Sequence, residues 1–202
     1  MVSAIGPVQT LGEDSAGDIF ALNGSAIAEF SPAGVLQSQV TAAPITVAST
    51  GGIGSAAFQA NGSYLVGQAA SGGSRRDVDA KVVRYLPTGA VDPSFANPPF
   101  DFSAEGTVAQ DLIQALAVQP GGQVVVTGLH FSGGSSALAV ARLDSNGTLD
   151  ATFGTGGAET TSLPGQGSAI AIQPDGKVVV AGEVEEPGSS TVSLVVARFL
   201  GQ

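Results

Sequence analysis

A hairpin-like motif recurs along this 202-residue chain and constrains its fold more than any other feature. The motif is clearest in "QPDGKVVVAG", where Gly176 occupies the turn, and it recurs in "QPGGQVVVTG" around Gly122 and in "QANGSYLVGQ" around Gly62. A weaker copy, "DSAGDIFALNG", contains Gly17. Successive turn glycines are 45, 60 and 54 residues apart, so the chain contains four copies of a unit of similar size.

Each unit has room for four short strands. In the third unit the strand-like pieces are "ALAVQ", "QVVVTG", "ALAVARL" and "TLDATFG", and turns rich in Gly, Asn and Asp join them in pairs. No segment has the pattern of a capped amphipathic helix. The repeats therefore predict an all-β fold, a β-propeller built from four blade-like repeats of four antiparallel strands. A solenoid fits less well, because each unit contains two hairpins.

We expect residues 1–202 to form a single propeller, half of a larger one made by two chains, or a piece of a longer protein. The predicted repeats are given by the approximate ranges 7–40, 52–102, 112–160 and 166–202. The last repeat stops before its fourth strand. We expect either Val2–Ile5 or a second chain to supply that strand, because pairing would cover an exposed sheet edge.

The charge balance limits the classes of partner. The chain has 17 acidic and 7 basic residues, which gives a net charge of −10. Nucleic acids and anionic membranes both require clustered Lys and Arg, so neither is an expected partner. No apolar run approaches the ~20 residues of a membrane-spanning helix. The absence of cysteine excludes disulfides and thiolate metal sites.

Arginine and aspartate recur at a fixed spacing around the second turn of the middle units. Asp92 follows Arg84 by eight residues, and Asp150 follows Arg142 by the same interval. With a glycine turn midway, the two side chains of each pair should face each other across a hairpin as a structural salt bridge. Arg198 has no such partner, so we expect it to contact another segment or chain.

The remaining polar residues give no catalytic motif. Carboxylates gather in two loops that follow the second strand of a blade, and these are the weak candidates for a Ca²⁺ site: Asp77, Asp79, Glu183, Glu185 and Glu186. We expect them to be solvated, with no cofactor bound. His130, the only histidine, is predicted to be a loop residue with a surface or packing role. Gly62, Gly122 and Gly176 are predicted to be structural turn residues.

The third and fourth units resemble a known repeat. "AIAIQPDGKVVVAG", "LVVARF" and "VARLDSNGTLDATFGTGG" are similar to the delta-60 repeat of bacterial proteins, whose layout is similar to that of the NHL repeat. The resemblance implies a propeller on a secreted, cell-surface or periplasmic protein. It implies no common activity.

These observations favour a non-catalytic binding or scaffold module, with a protein or glycan ligand and with a second copy as a further expected partner. Two alternatives remain open. A propeller enzyme of the hydrolase or lyase type would need carboxylates or histidines that converge on one place. A carbohydrate-binding surface module would need exposed aromatic side chains, and the chain has no Trp and only two Tyr.

Overall fold

The protein consists of β-strands joined by turns. The structure, a computed structural model, describes residues 10–14, 16–23, 26–41, 55–71, 77–103, 108–186 and 191–200. Within these ranges every regular element is a strand and none is a helix, which confirms the predicted all-β fold. The first unit contains β1 (Thr10–Glu13), β2 (Ile19–Asn23), β3 (Ala26–Phe30) and β4 (Leu36–Thr41). The second contains β5 (Ser55–Phe58), β6 (Tyr64–Ser71) and β7 (Val78–Tyr85).

The last two units follow the same order. The third contains β8 (Gln110–Val118), β9 (Val124–Ser132), β10 (Ser135–Leu143) and β11 (Ala158–Thr160). The fourth contains β12 (Gly165–Ile172), β13 (Val178–Glu185) and β14 (Val192–Phe199). Consecutive strands within a unit pair antiparallel, as expected for successive hairpins.

The strands form three sheets. The first unit is a four-stranded sheet, the second and third units form one seven-stranded sheet, and the fourth unit is a three-stranded sheet. A single parallel pair, Val78 with Gln110, joins the second unit to the third. In the second unit a fourth strand is reduced to an isolated bridge between Ala80 and Phe100. None of the described sheets closes on itself, and Val2–Ile5 lie outside the described residues.

The same five-residue turn occurs twice in each of the first three units and once in the fourth. At Gly176 the backbone N–H donates to Gln173 O (2.9 Å), and the Gln173 N–H donates to Lys177 O (2.8 Å). This is a type I turn followed by a residue in the left-handed region, where glycine is favoured. The same two hydrogen bonds close the turns at Gly17, Gly34, Gly62, Gly89, Gly122 and Gly147. Their φ angles lie between 76° and 92°, so the turn chemistry explains why these glycines recur.

The fourth strand of the third unit lies later in the chain than the sequence predicts. The piece "TLDATFG" (148–154) makes one isolated bridge, from Leu149 to Leu143, and then leaves the ladder. The cause is the Asp150 side chain, which accepts hydrogen bonds from the Thr152 N–H (3.0 Å) and hydroxyl (2.6 Å). Such a side-chain turn replaces strand pairing. The fourth strand is β11, which pairs with β10 after a glycine-rich turn.

The core lies between the units rather than inside any one of them. Alternate side chains of a strand pack on opposite faces, and in β9 Val124 and Val126 face the second unit while Val125 faces the fourth. A separate cluster joins the first and second units, with Leu22 and Tyr64 at its centre. Each described interface between consecutive units is therefore a buried apolar layer.

Candidate functional site

Arg142 and Asp150 form a buried ion pair at the end of the third unit. Arg142 Nε lies 2.7 Å from Asp150 Oδ2, and one of its terminal nitrogens donates to the Thr152 hydroxyl (3.1 Å). The guanidinium lies 4.9 Å from the centre of the Phe153 ring, which makes a cation–π contact. Hydrogen bonds from Thr152 lower the pKa of Asp150, and the Arg142 contact adds to this effect. Desolvation raises the pKa, but the net result lies below the usual range.

The second unit repeats this arrangement with different residues. Arg84 Nε lies 2.8 Å from Asp92 Oδ2, the Ser94 hydroxyl takes the place of Thr152, and Phe95 lies under the guanidinium. Hydrogen bonds from Ser94, then the Arg84 contact, lower the pKa of Asp92. A further nitrogen of Arg84 donates to Ser145 O (3.1 Å) in the third unit. The pair therefore lies across a turn and also contacts the third unit.

The third arginine of the series has a different environment. Arg198 lies near the end of β14 and is exposed. The described part of the chain gives it no ion pair, in contrast to Arg84 and Arg142. Its expected contact with another segment or chain stays a prediction.

The two groups of carboxylates occupy different units and different environments. Asp77 Oδ1 accepts a weak hydrogen bond from the Ala109 N–H (3.3 Å), which ties the start of β7 to the start of β8. Burial raises the pKa of Asp79, and the carboxyls of Asp101 and Asp77 add to this effect. Glu183, Glu185 and Glu186 are exposed. In the described ranges no three or more such residues gather in a way that could hold a metal ion.

A cleft separates the third and fourth units at one end of their strands. It has a volume of about 560 Å³ and is called here the three–four cleft. Its apolar lining includes Leu129, Phe131 and Val192, and the exposed residues Glu183 and Glu185 line it as well. Glu186 does not line it and instead accepts a hydrogen bond from the Ser193 hydroxyl (2.8 Å). The cleft brings two of the predicted carboxylates onto a surface with apolar side chains.

His130 is a strand residue, so the prediction that it lies in a loop is wrong. It lies in β9 directly opposite Asp111 of β8, and its Nδ1 is 2.7 Å from Asp111 Oδ1. The Asp111 side chain is fully buried, and its Oδ2 has no hydrogen-bond partner among the described residues. Burial raises the pKa of Asp111 to about 6, against the lowering effect of His130.

Register would have revealed this pair. Counting outward from the turn at Gly122 brings Asp111 and His130 opposite each other once the bulge between Ile113 and Ala115 is included. The bulge itself has no clear mark in the sequence, which is why the two residues were not connected. The His130 ring lines a second cavity of about 330 Å³, called here the His130 cavity, together with Ser103 and Glu159.

A family model matches half of the chain. It is described as a β-propeller domain of unknown function, DUF5122, and it matches residues 59–95, 119–153 and 173–201. Each matched segment contains one of the recurring turns, at Gly62, Gly122 and Gly176. No curated protein matches the sequence.

Two solved structures share the fold. A protein of unknown function from Bacteroides caccae aligns with 96% of this chain at 14% identity and a TM-score of 0.50, and this chain covers 62% of it. An endo-arabinase from Bacteroides thetaiotaomicron aligns with 100% of this chain at 15% identity and a TM-score of 0.52, with 80% of that chain covered. At these identities the likeness concerns the fold alone. Among the described residues there is no helix of the length and apolarity needed to cross a membrane.

Proposed function

Because this chain belongs to the DUF5122 family of β-propeller domains, we propose that it is a non-catalytic binding module whose ligand surface is the three–four cleft. The observation that carries the proposal is the cleft itself, whose volume of about 560 Å³ lies within the range of ligand sites. It is formed at strand ends and loops, where propellers and other rigid scaffolds place recognition.

The lining of the cleft suits a cationic segment of another protein that also carries apolar side chains. Phe131 and Val192 offer exposed apolar surface, and Glu183 and Glu185 offer two carboxylates beside it. The chain's net charge of −10 attracts cations over a longer range. Lys and Arg side chains combine a positive end with an apolar stem, so both parts of the lining are used.

The two other functions have less support. Tyr64 and Tyr85 are buried and stacked on each other, which leaves Phe131 as the exposed aromatic side chain among the described residues. For an enzyme, the Asp111–His130 pair has the geometry of an acid–base group, and in the described ranges no serine or threonine hydroxyl makes a hydrogen bond to His130. We therefore prefer a binding module to the enzyme and the carbohydrate-binding surface module.

Several finer assignments accompany this proposal. We take the units to be delta-60 repeats of an NHL-like layout, arranged as four blades, on a secreted, cell-surface or periplasmic protein. The turns and the Arg–Asp pairs support the repeat assignment. Cell fractionation with an antibody against the chain tests the location, and recovery in the cytoplasmic fraction alone would contradict it.

Fluorescence anisotropy with short labelled peptides tests the binding function. We expect an alternating Lys–Leu peptide to bind and a Glu–Leu peptide of equal length to bind at least about tenfold more weakly, a difference of ~1.4 kcal/mol. Binding should weaken as salt is added, because the attraction is between exposed charges. The double variant Glu183→Gln/Glu185→Gln should lose most of the preference for Lys.

Glu186→Gln is the matched control, because Glu186 is exposed nearby but does not line the cleft. It should bind the Lys–Leu peptide as the unchanged protein does. Equal binding of the two peptides, or equal effects of the cleft variant and the control, would reject the three–four cleft as the binding surface.

A further inference from the structure

We propose that the His130 cavity is a second binding site, for a small neutral polyol such as a monosaccharide, in which a ligand hydroxyl forms a hydrogen bond with His130 Nε2. The proposal is independent of the three–four cleft, which has a different lining. It rests on the Asp111–His130 pair, in which a buried carboxylate contacts the only histidine.

The hairpin does not need the pair in order to form. In the fourth unit Gly165 and Val184 occupy the same place, eleven residues before the turn glycine and eight after it, and they too face each other across the two strands. The β12–β13 hairpin thus forms the same turn and a similar ladder with no charge at this position. Of these two units, only the third has titratable residues at this position.

A buried carboxylate at this position is unfavourable for the stability of the fold. A fully buried carboxylate loses its hydration, and a partner has to replace it. Asp111 Oδ1 has His130 at 2.7 Å, but Oδ2 has no partner within the described part of the chain. Residues kept at such a cost are typical of functional sites.

The pair leaves one ring nitrogen for a ligand. Asp111 Oδ1 occupies the Nδ1 side of the ring, so Nε2 is the ring nitrogen that remains for a ligand. His130 is mostly buried but lines the cavity, and no described residue makes a hydrogen bond to Nε2. Nε2 is thus a positioned hydrogen-bonding atom, and a hydroxyl is a suitable partner because it can both donate and accept.

The rest of the lining selects the chemical class. Glu159 offers a carboxylate, and three hydroxyls line the same cavity, those of Ser103, Thr155 and Thr160. Carboxylates accept and hydroxyls both donate and accept, which matches the alternating donors and acceptors of a sugar. Glu159 and Asp111 disfavour an anion. A volume of about 330 Å³ is at the small end of ligand sites and suits a single sugar ring.

Proton NMR tests the site directly, because His130 is the only histidine and its ring signals are unambiguous. We expect at least one of glucose, galactose, xylose and glycerol to shift these signals saturably, with a dissociation constant on the order of 1 mM. Methylammonium chloride and sodium acetate are the charged controls. No shift with any of the four polyols, or a larger saturable shift with methylammonium, would overturn the proposal.

Variants separate binding from folding. Glu159→Gln should lower the affinity for the polyol at least about threefold, while the NMR signals of the His130 ring persist. The double variant Asp111→Gly/His130→Val copies the fourth unit and should fold but show no saturation transfer to the polyol. If it fails to fold, His130→Ala replaces it, since Ala70 stands at this position in the second unit. Retained binding in a folded variant without His130 would also overturn the proposal.

Discussion

At the scale of single residues, two nearly identical ion pairs differ in burial. The Arg142 side chain is 4% exposed, whereas the Arg84 side chain is 17% exposed. The aspartates that would lose their partner are similarly buried, so the difference lies in the space that the guanidinium leaves, which water reaches more easily at Arg84 than at Arg142. The same sequence spacing therefore has different energetic consequences in the two units.

We expect Arg142→Gln to lower the free energy of unfolding by about 3 kcal/mol and Arg84→Gln to lower it by clearly less. Urea denaturation followed by circular dichroism measures both values. Equal losses would show that burial does not determine the contribution of the pair.

The second residue-scale prediction concerns pH. Because the pKa of Asp111 is raised to about 6, between pH 4 and 6 the folded protein retains a proton that the unfolded chain has released. The Asp111 contribution is thus fully present below about pH 4 and is lost as the pH rises through 6. Because one proton is involved, Asp111 can change the free energy of unfolding by at most ~1.4 kcal/mol per pH unit.

We expect Asp111→Asn to flatten the dependence of unfolding free energy on pH in this window. Asp92 and Asp150 have lowered pKa values, so their contributions are lost only as the pH falls below about 4 and serve as an internal reference. An unchanged slope between pH 4 and 6 in Asp111→Asn would contradict the assignment.

At the scale of elements, the repeated turn is the part of the fold that could be predicted from sequence. Each turn depends on a glycine with positive φ at a fixed position, which the residue letters reveal directly. The fourth strand could not be placed in the same way, because the Asp150–Thr152 turn and a strand look alike in composition. The Asp111–His130 pair was missed for a third reason, an unmarked bulge that shifts the register.

Two of these glycines allow a matched comparison. Gly176 and Gly147 both have positive φ, but a Cβ at Gly176 meets open space, whereas a Cβ at Gly147 overlaps the backbone oxygen of Ala96 in the second unit. We expect Gly176→Ala to cost about 1 kcal/mol of stability from the backbone conformation, and Gly147→Ala at least about 2 kcal/mol more. Thermal unfolding measures both, and equal losses would show that Ala96 moves away without penalty.

At the scale of the whole molecule, β14 has an exposed apolar face. Leu194 and Val196 are 80% and 63% exposed, on the sheet face away from the core that joins the third unit. A strand with such a face is prone to association. A second copy is the partner that the sequence predicted for this part of the chain.

We expect Leu194→Lys to reduce the mean mass measured by light scattering toward that of a single chain. Val108→Lys is the control, since Val108 is similarly exposed but lies outside the strands. If the unchanged protein is already a monomer at every concentration, or if both variants behave alike, self-association through β14 is rejected.

The layers between units also determine where the molecule opens first. β9 lies inside the seven-stranded sheet, between β10 and β8, and its Val124, Val125 and Val126 supply side chains to the layers on both sides. Local fluctuations that separate the first unit from the second, or the fourth from the third, leave at least one of these layers intact. In deuterium exchange the amides of β9 should be the slowest and those of β1 and β14 among the fastest. The protein would then lose its protection from the ends of the array toward the third unit.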